Sequence, residues 1–83
     1  MDKMQENFKV MCNNLREKCH ELEVNVRILT GAVGELPEGS EHQEVNANLM
    51  LTIRHLEDAQ MRLGKAIQWG CDNGVSCYDK KNG

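Results

Sequence analysis

The sequence predicts an all-α fold, an antiparallel helical hairpin assembled into a homo-oligomeric helical bundle. Two long stretches repeat apolar residues at alternating steps of three and four, and a short Gly- and Pro-containing break separates them. The chain has only 83 residues, with one Phe, one Tyr and one Trp, so large core-filling side chains are scarce. A two-helix chain of this size is expected to complete its core with copies of itself.

In the first stretch Cys12, Leu15, Cys19, Leu22, Val26, Leu29 and Val33 hold the three-four rhythm, and Phe8 and Met11 extend it towards the N-terminus. The rhythm predicts a helix from about Lys3 to Val33 that packs on other helices. Residues 1–7 are polar and are expected to fray. Gly31 and Gly34 weaken the helix end, and Leu36-Pro37-Glu38-Gly39 breaks it.

Ser40 followed by Gln43 fits a capping box, with Glu41 and Glu44 at the positive end of the next helix dipole. That helix is expected from about Glu41 to Trp69, with Gly70 in a left-handed cap. Leu49, Thr52, Leu56, Ala59, Leu63 and Ala66 form one row along it. Met50, Ile53, Gln60 and Ile67 form a second row, about 100° round the cylinder. Two rows suggest two neighbours. The hairpin domain thus covers residues 1–70, and 71–83 form a C-terminal tail without periodicity. The tail is expected either to be disordered or to fold back through Val75 and Tyr78.

The net charge of −3 argues against general DNA binding, which needs a concentrated basic surface. No run of 18 apolar residues is present and the N-terminus has no signal-peptide apolar core, so the expected address is cytoplasmic and no membrane partner is expected. The four cysteines are then expected as reduced thiols.

Candidate chemistry is sparse. Cys12 and Cys19 stand two helical turns apart, about 10.5 Å along the axis, whereas sulfurs sharing a zinc must lie within ~4 Å of one another. A site of Cys12, Cys19, Cys71 and Cys77 is therefore not expected, and no cofactor is. Cys71 approaches Cys12 if the hairpin is antiparallel. Cys19 and His20, adjacent on a helix, diverge by about 100° and make no nucleophile–base pair. Glu57 and Asp58 diverge in the same way, and His42 and His55 have no suitably spaced Ser or Cys. An enzyme is not expected.

The polar row of helix one, Lys9, Asn13, Arg16, His20, Glu23, Arg27 and Thr30, offers a binding surface instead. Arg16 is central and suits a forked contact to phosphate, with Lys9 beside it as a point charge. On helix two Arg54, His55, Asp58, Arg62 and Lys65 form an outer polar surface, in which Asp58 and Arg62 make an i, i+4 pair. Spacing alone favours an ordinary solvated face for both rows.

The segment LTIRHLEDAQMRLGKAI resembles the second helix of a phage family of helical-hairpin proteins. These are the anti-CBASS cyclic-nucleotide sponges, whose hairpin domain also occurs in a class of Thoeris anti-defence proteins. Leu56, Glu57, Ala59, Met61, Ala66 and Ile67 carry the likeness, and Asn13, Leu15 and Arg16 look like the opening of the family's preceding helix. About 60 residues are covered.

The resemblance implies a homo-oligomer, a hexamer in the best-known members. It would bind cyclic di- or trinucleotides or cyclic ADP-ribose derivatives in the host cytoplasm without cleaving them. It implies a phosphate contact from Arg16, to which the polar rows of the two helices add Lys9, Asn13, Arg54, His55 and Lys65 as candidate neighbours. The aromatic residue that the family often places some fifteen positions earlier falls at about Met1 here, so Tyr78 or Trp69 of another subunit is left for base stacking. The reading set against this one is a small oligomeric helical protein that binds or inhibits a host protein. A transcriptional regulator is disfavoured by the acidic balance and the absence of a helix-turn-helix pattern.

Overall fold

The computed structural model describes residues 2–74, and the residues singled out beyond them, Val75, Cys77 and Tyr78, lie outside that range. The chain is a two-helix hairpin. Helix α1 spans Lys3–Ala32, a 3-10 turn follows at Val33–Glu35, and helix α2 spans His42–Gly70.

The start of α1 is capped, contrary to the expected fraying of residues 1–7. Asp2 Oδ1 accepts from the Gln5 amide at 2.8 Å, while Gln5 Oε1 accepts from the Asp2 amide at 3.2 Å. This reciprocal pair satisfies two of the donors a helix start leaves over. Gln5 Nε2 also donates to the Gly70 carbonyl at 3.0 Å, which ties the two chain ends of the hairpin together.

The capping box expected at Ser40 does not form. Glu41 precedes the helix, no side chain caps its amides, and the Ser40 amide instead donates to the Pro37 carbonyl at 3.1 Å. Leu36 is extended, as the residue before a proline must be to clear the ring. The turn that results, closed through Gly39 at φ +95°, uses Ser40 for its own hydrogen bond and leaves its hydroxyl in no helix cap. Gly70 is likewise the last helical residue and not a left-handed cap; Asn73 and Gly74, at φ +54° and +83°, take that conformation. Gly74 is held by its amide and carbonyl, both 2.7 Å from Gln68. A Cβ there would sit 2.6 Å from Trp69 Cζ3, so only glycine fits.

The helices meet along a seam rotated from the predicted apolar stripe. Cys12 is buried and Cys19, Val26 and Val33 are half-buried, but Leu15, Leu22 and Leu29 stand outside the seam at 44, 53 and 54% exposure. In their place half-buried Lys9, Glu23 and Thr30 from the polar row turn towards α2. The reason is geometric. A single neighbouring helix covers one side of a cylinder, and two rows about 60° apart around α1 do not both fit beneath it.

On α2 the row with Ile53, Gln60 and Ile67 faces the seam, although Met50 remains 43% exposed. The fully enclosed core is small: Ile53 at 2% exposure, and a cluster of Cys12, Ile67 and Cys71 flanked by Leu63 and Ala66. The thiols of Cys12, Cys19 and Cys71 are free, and Cys71 Sγ donates to the Gln5 carbonyl at 3.3 Å. The approach of Cys71 to Cys12 is thus realised within this cluster.

Ile53 is the most deeply buried side chain among the described residues. Truncation by Ile53→Ala is expected to destabilise the protein by about 2–5 kcal/mol, the usual cost of emptying a core site. A urea titration followed by circular dichroism at fixed protein concentration checks this.

A polar groove on one flank as candidate functional site

Wherever the seam accepts polar groups, α1 and α2 enclose an open groove on one flank of the hairpin. It is lined by Asn13, Arg16, Glu17, His20 and Gln60 and holds about 320 Å³. Four of its lining residues come from α1 and one, Gln60, from α2. Small-molecule sites bury most of their ligand, and this depression is open to solvent, so one hairpin covers only part of any ligand placed in it.

Arg16 reaches across from α1 onto α2, where Gly64 makes room for it. A Cβ at Gly64 would lie 3.6 Å from Arg16 Cζ, so the guanidinium rests over bare helix backbone. Arg16 Nη1 lies 3.4 Å from Asn13 Oδ1, a long hydrogen bond. Among the described residues no carboxylate pairs with Arg16; the ion pairs are Lys9–Asp72, Arg27–Glu23 and Arg62–Asp58. A planar cation with unspent donors at the mouth of a groove can accept an anion in forked geometry.

Gln60, the one lining residue from α2, is held by Glu23 of α1. Gln60 Nε2 donates to Glu23 Oε1 at 3.0 Å and to the Leu56 carbonyl at 3.2 Å. Arg27 grips the other carboxylate oxygen, with Nε and Nη2 each at 3.2 Å. The Gln60 amide, with help from Arg27 and against partial burial, holds the Glu23 carboxyl below the usual carboxylate range. Glu23 is therefore not the spare charge of a solvated face but the anchor of the only side chain–side chain hydrogen bond between the helices in mid-hairpin among the described residues.

The sequence-derived site residues divide into two sets. Arg16 and Asn13 share the groove, and His20 lines it with them. Lys9 is placed lower on α1 and paired to Asp72 at 3.3 Å. Arg54, His55 and Lys65 are exposed on α2 and do not line the groove. Arg54 and Lys65 are eleven residues apart, about 16 Å along the axis, and His55 points about 100° from Arg54. One hairpin does not gather them around Arg16. Glu17, Gln60 and Gly64 belong to the site and were not singled out for it. Gln60 had a visible signal, as the polar member of an otherwise apolar row that had to find a partner.

No protein-family model, curated protein or solved structure matches the chain.

Two outcomes follow from this geometry. A carboxyl whose folded pKa is depressed adds stability above its unfolded pKa and loses it as pH falls through the folded value. Thermal melts at neutral and strongly acidic pH should therefore show a loss in the natural protein that Glu23→Gln reduces. At Gly64 the contact distance leaves room for one methyl, so Gly64→Ala should raise the melting temperature, by a gain of up to about 1 kcal/mol in helix propensity. A lower melting temperature would mean that Arg16 cannot give way.

Proposed function

We propose that the protein is a non-enzymatic sponge for cyclic nucleotide second messengers, made by a phage to silence CBASS- or Thoeris-type immunity in the host cytoplasm. The single observation that carries the reading is Arg16: a guanidinium at the mouth of a groove, seated over Gly64 and without a carboxylate partner among the described residues. It stands at the position to which the family resemblance of both helices assigns the phosphate contact. The open groove supports sequestration by an assembly, because a roof for the ligand has to come from a further subunit. A hexamer is the form the resemblance suggests. In such an assembly Arg54, His55 and Lys65 of one copy supply polar groups to the groove of another, and Lys9 adds its charge where the Asp72 pair is loosened.

Binding without turnover is the behaviour expected of a sponge, which removes a signal stoichiometrically. Calorimetric titration with a panel of cyclic di- and trinucleotides and cyclic ADP-ribose isomers tests it, followed by recovery of the ligand after heat denaturation. Nanomolar affinity with the ligand returned intact is the expected result, and hydrolysed product would exclude the sponge. Arg16→Ala should bind at least about tenfold more weakly, the cost of one charge-assisted contact of ~1.5–3 kcal/mol, while keeping the helical signal and assembly mass of the parent. Unchanged affinity removes Arg16 from the site.

A second reading, a small helical module that blocks a host protein, is favoured by Trp69 and Ile28, 72 and 67% exposed on the outer faces. No heat from any nucleotide, on folded protein, would move the assignment to it.

A further inference from the structure

The flank opposite the groove carries a second feature. Leu15, Leu22 and Leu29 project from α1 about 60° from the buried row, on the side away from Arg16. Thr52, Ala59 and Ala66 run along the same flank of α2, again seven residues apart. That the two rows share a flank follows from the contacts. Arg16 rests on Gly64 on one side of the seam, whereas Phe8 Cε1 lies 3.5 Å from the Cβ position of Gly70 on the other. The contacts also fix heights along the hairpin. With Arg16 level with Gly64 and Glu23 bonded to Gln60, Leu15 stands level with Ala66, Leu22 with Ala59 and Leu29 with Thr52.

We propose that two copies of the chain pack flank to flank, about a two-fold axis running along the helices, into a four-helix bundle. This operation sets α1 of one copy against α2 of the other at unchanged height. Each leucine then meets a small residue of the partner copy in three successive layers, one heptad apart. The surface is self-complementary, as a two-fold interface requires. Thr52 fits its layer because its hydroxyl is spent on the Asn48 carbonyl at 2.9 Å, leaving the methyl for the neighbour. An axis across the helices would instead set leucine row on leucine row and alanine row on alanine row, crowding one half and leaving the other hollow.

Exposure on the flank agrees with the pairing. Leu15, Leu22 and Leu29 stay 44, 53 and 54% exposed in the single hairpin, apolar surface that a second copy seated on this flank removes from water. The pairing does not rest on the nucleotide reading, and it leaves the Arg16 groove of each copy open on the outer side.

The test is native mass spectrometry and light scattering of the full chain without any nucleotide. The expected mass is two 9.4 kDa chains or an even multiple. Leu22→Ala and Ala59→Leu should each weaken the dimer by at least about tenfold, the first by a void and the second by a clash. Both sites lie outside the enclosed core, and circular dichroism verifies that each variant is helical. The double swap Leu22→Ala/Ala59→Leu should restore association to within a few-fold of the parent. A monomer at every concentration overturns the proposal. So does an odd-numbered assembly, or a particle that neither single substitution weakens, or a swap that fails to recover what the single variants lost.

Discussion

Two helices can hide only one side of each other, and the rest of this structure depends on that limit. Helix α1 carries apolar residues over more of its circumference than one neighbour can cover, and α2 does the same with smaller side chains. The hairpin answers by burying very little, Ile53 and the Cys12–Ile67–Cys71 cluster, and by leaving its largest aliphatic residues outside. Hydrophobic burial at ~25 cal/mol per Å² does little for residues that stay half in water. A single hairpin is therefore an unfinished object in energetic terms, however regular its helices.

The two flanks are unequal in a way that divides labour. One admits polar groups into the seam and opens beside Arg16 and Gln60 into a groove. The other carries the row Phe8, Leu15, Leu22 and Leu29 beside Thr52, Ala59 and Ala66. The groove flank thus brings Arg16 beside Asn13, His20 and Gln60, and the other flank carries the leucine row. A neutral partner suits the second side and an anion the first.

The fold was legible in the sequence because helix periodicity and a proline break are local signals. The two helix spans are close to those expected, since nothing in either stretch competes with helix formation. What was not legible is rotation. Cys12, Leu15, Cys19 and Leu22 form one stripe on paper, and only the choice of facing row on α2 decides that the cysteines turn in and the leucines out. The caps were misread for a similar reason. Ser40 has the right chemistry for a helix start, but the backbone after Pro37 claims it first, while Asp2 caps a start that polarity alone marked as loose. Of the site, Arg16 and Asn13 were readable as neighbours on one helix face. Gly64 was not, since a glycine in a helix announces only a cost until the side chain lying over it is seen.

The Glu23–Gln60 bond has a bearing on alignment. Aliphatic seams with a seven-residue repeat tolerate sliding, because a heptad slip exchanges one methyl-lined layer for another. A polar pair in mid-seam does not, since a slip of even one turn would leave the Gln60 amide and the Glu23 carboxylate facing hydrocarbon, each short of a partner. Together with Gln5 on the Gly70 carbonyl and Lys9 on Asp72, this bond holds the hairpin to one register. The seating of Arg16 over Gly64 inherits that register, so the shape of the groove is decided two turns away from the residue that gives it its charge.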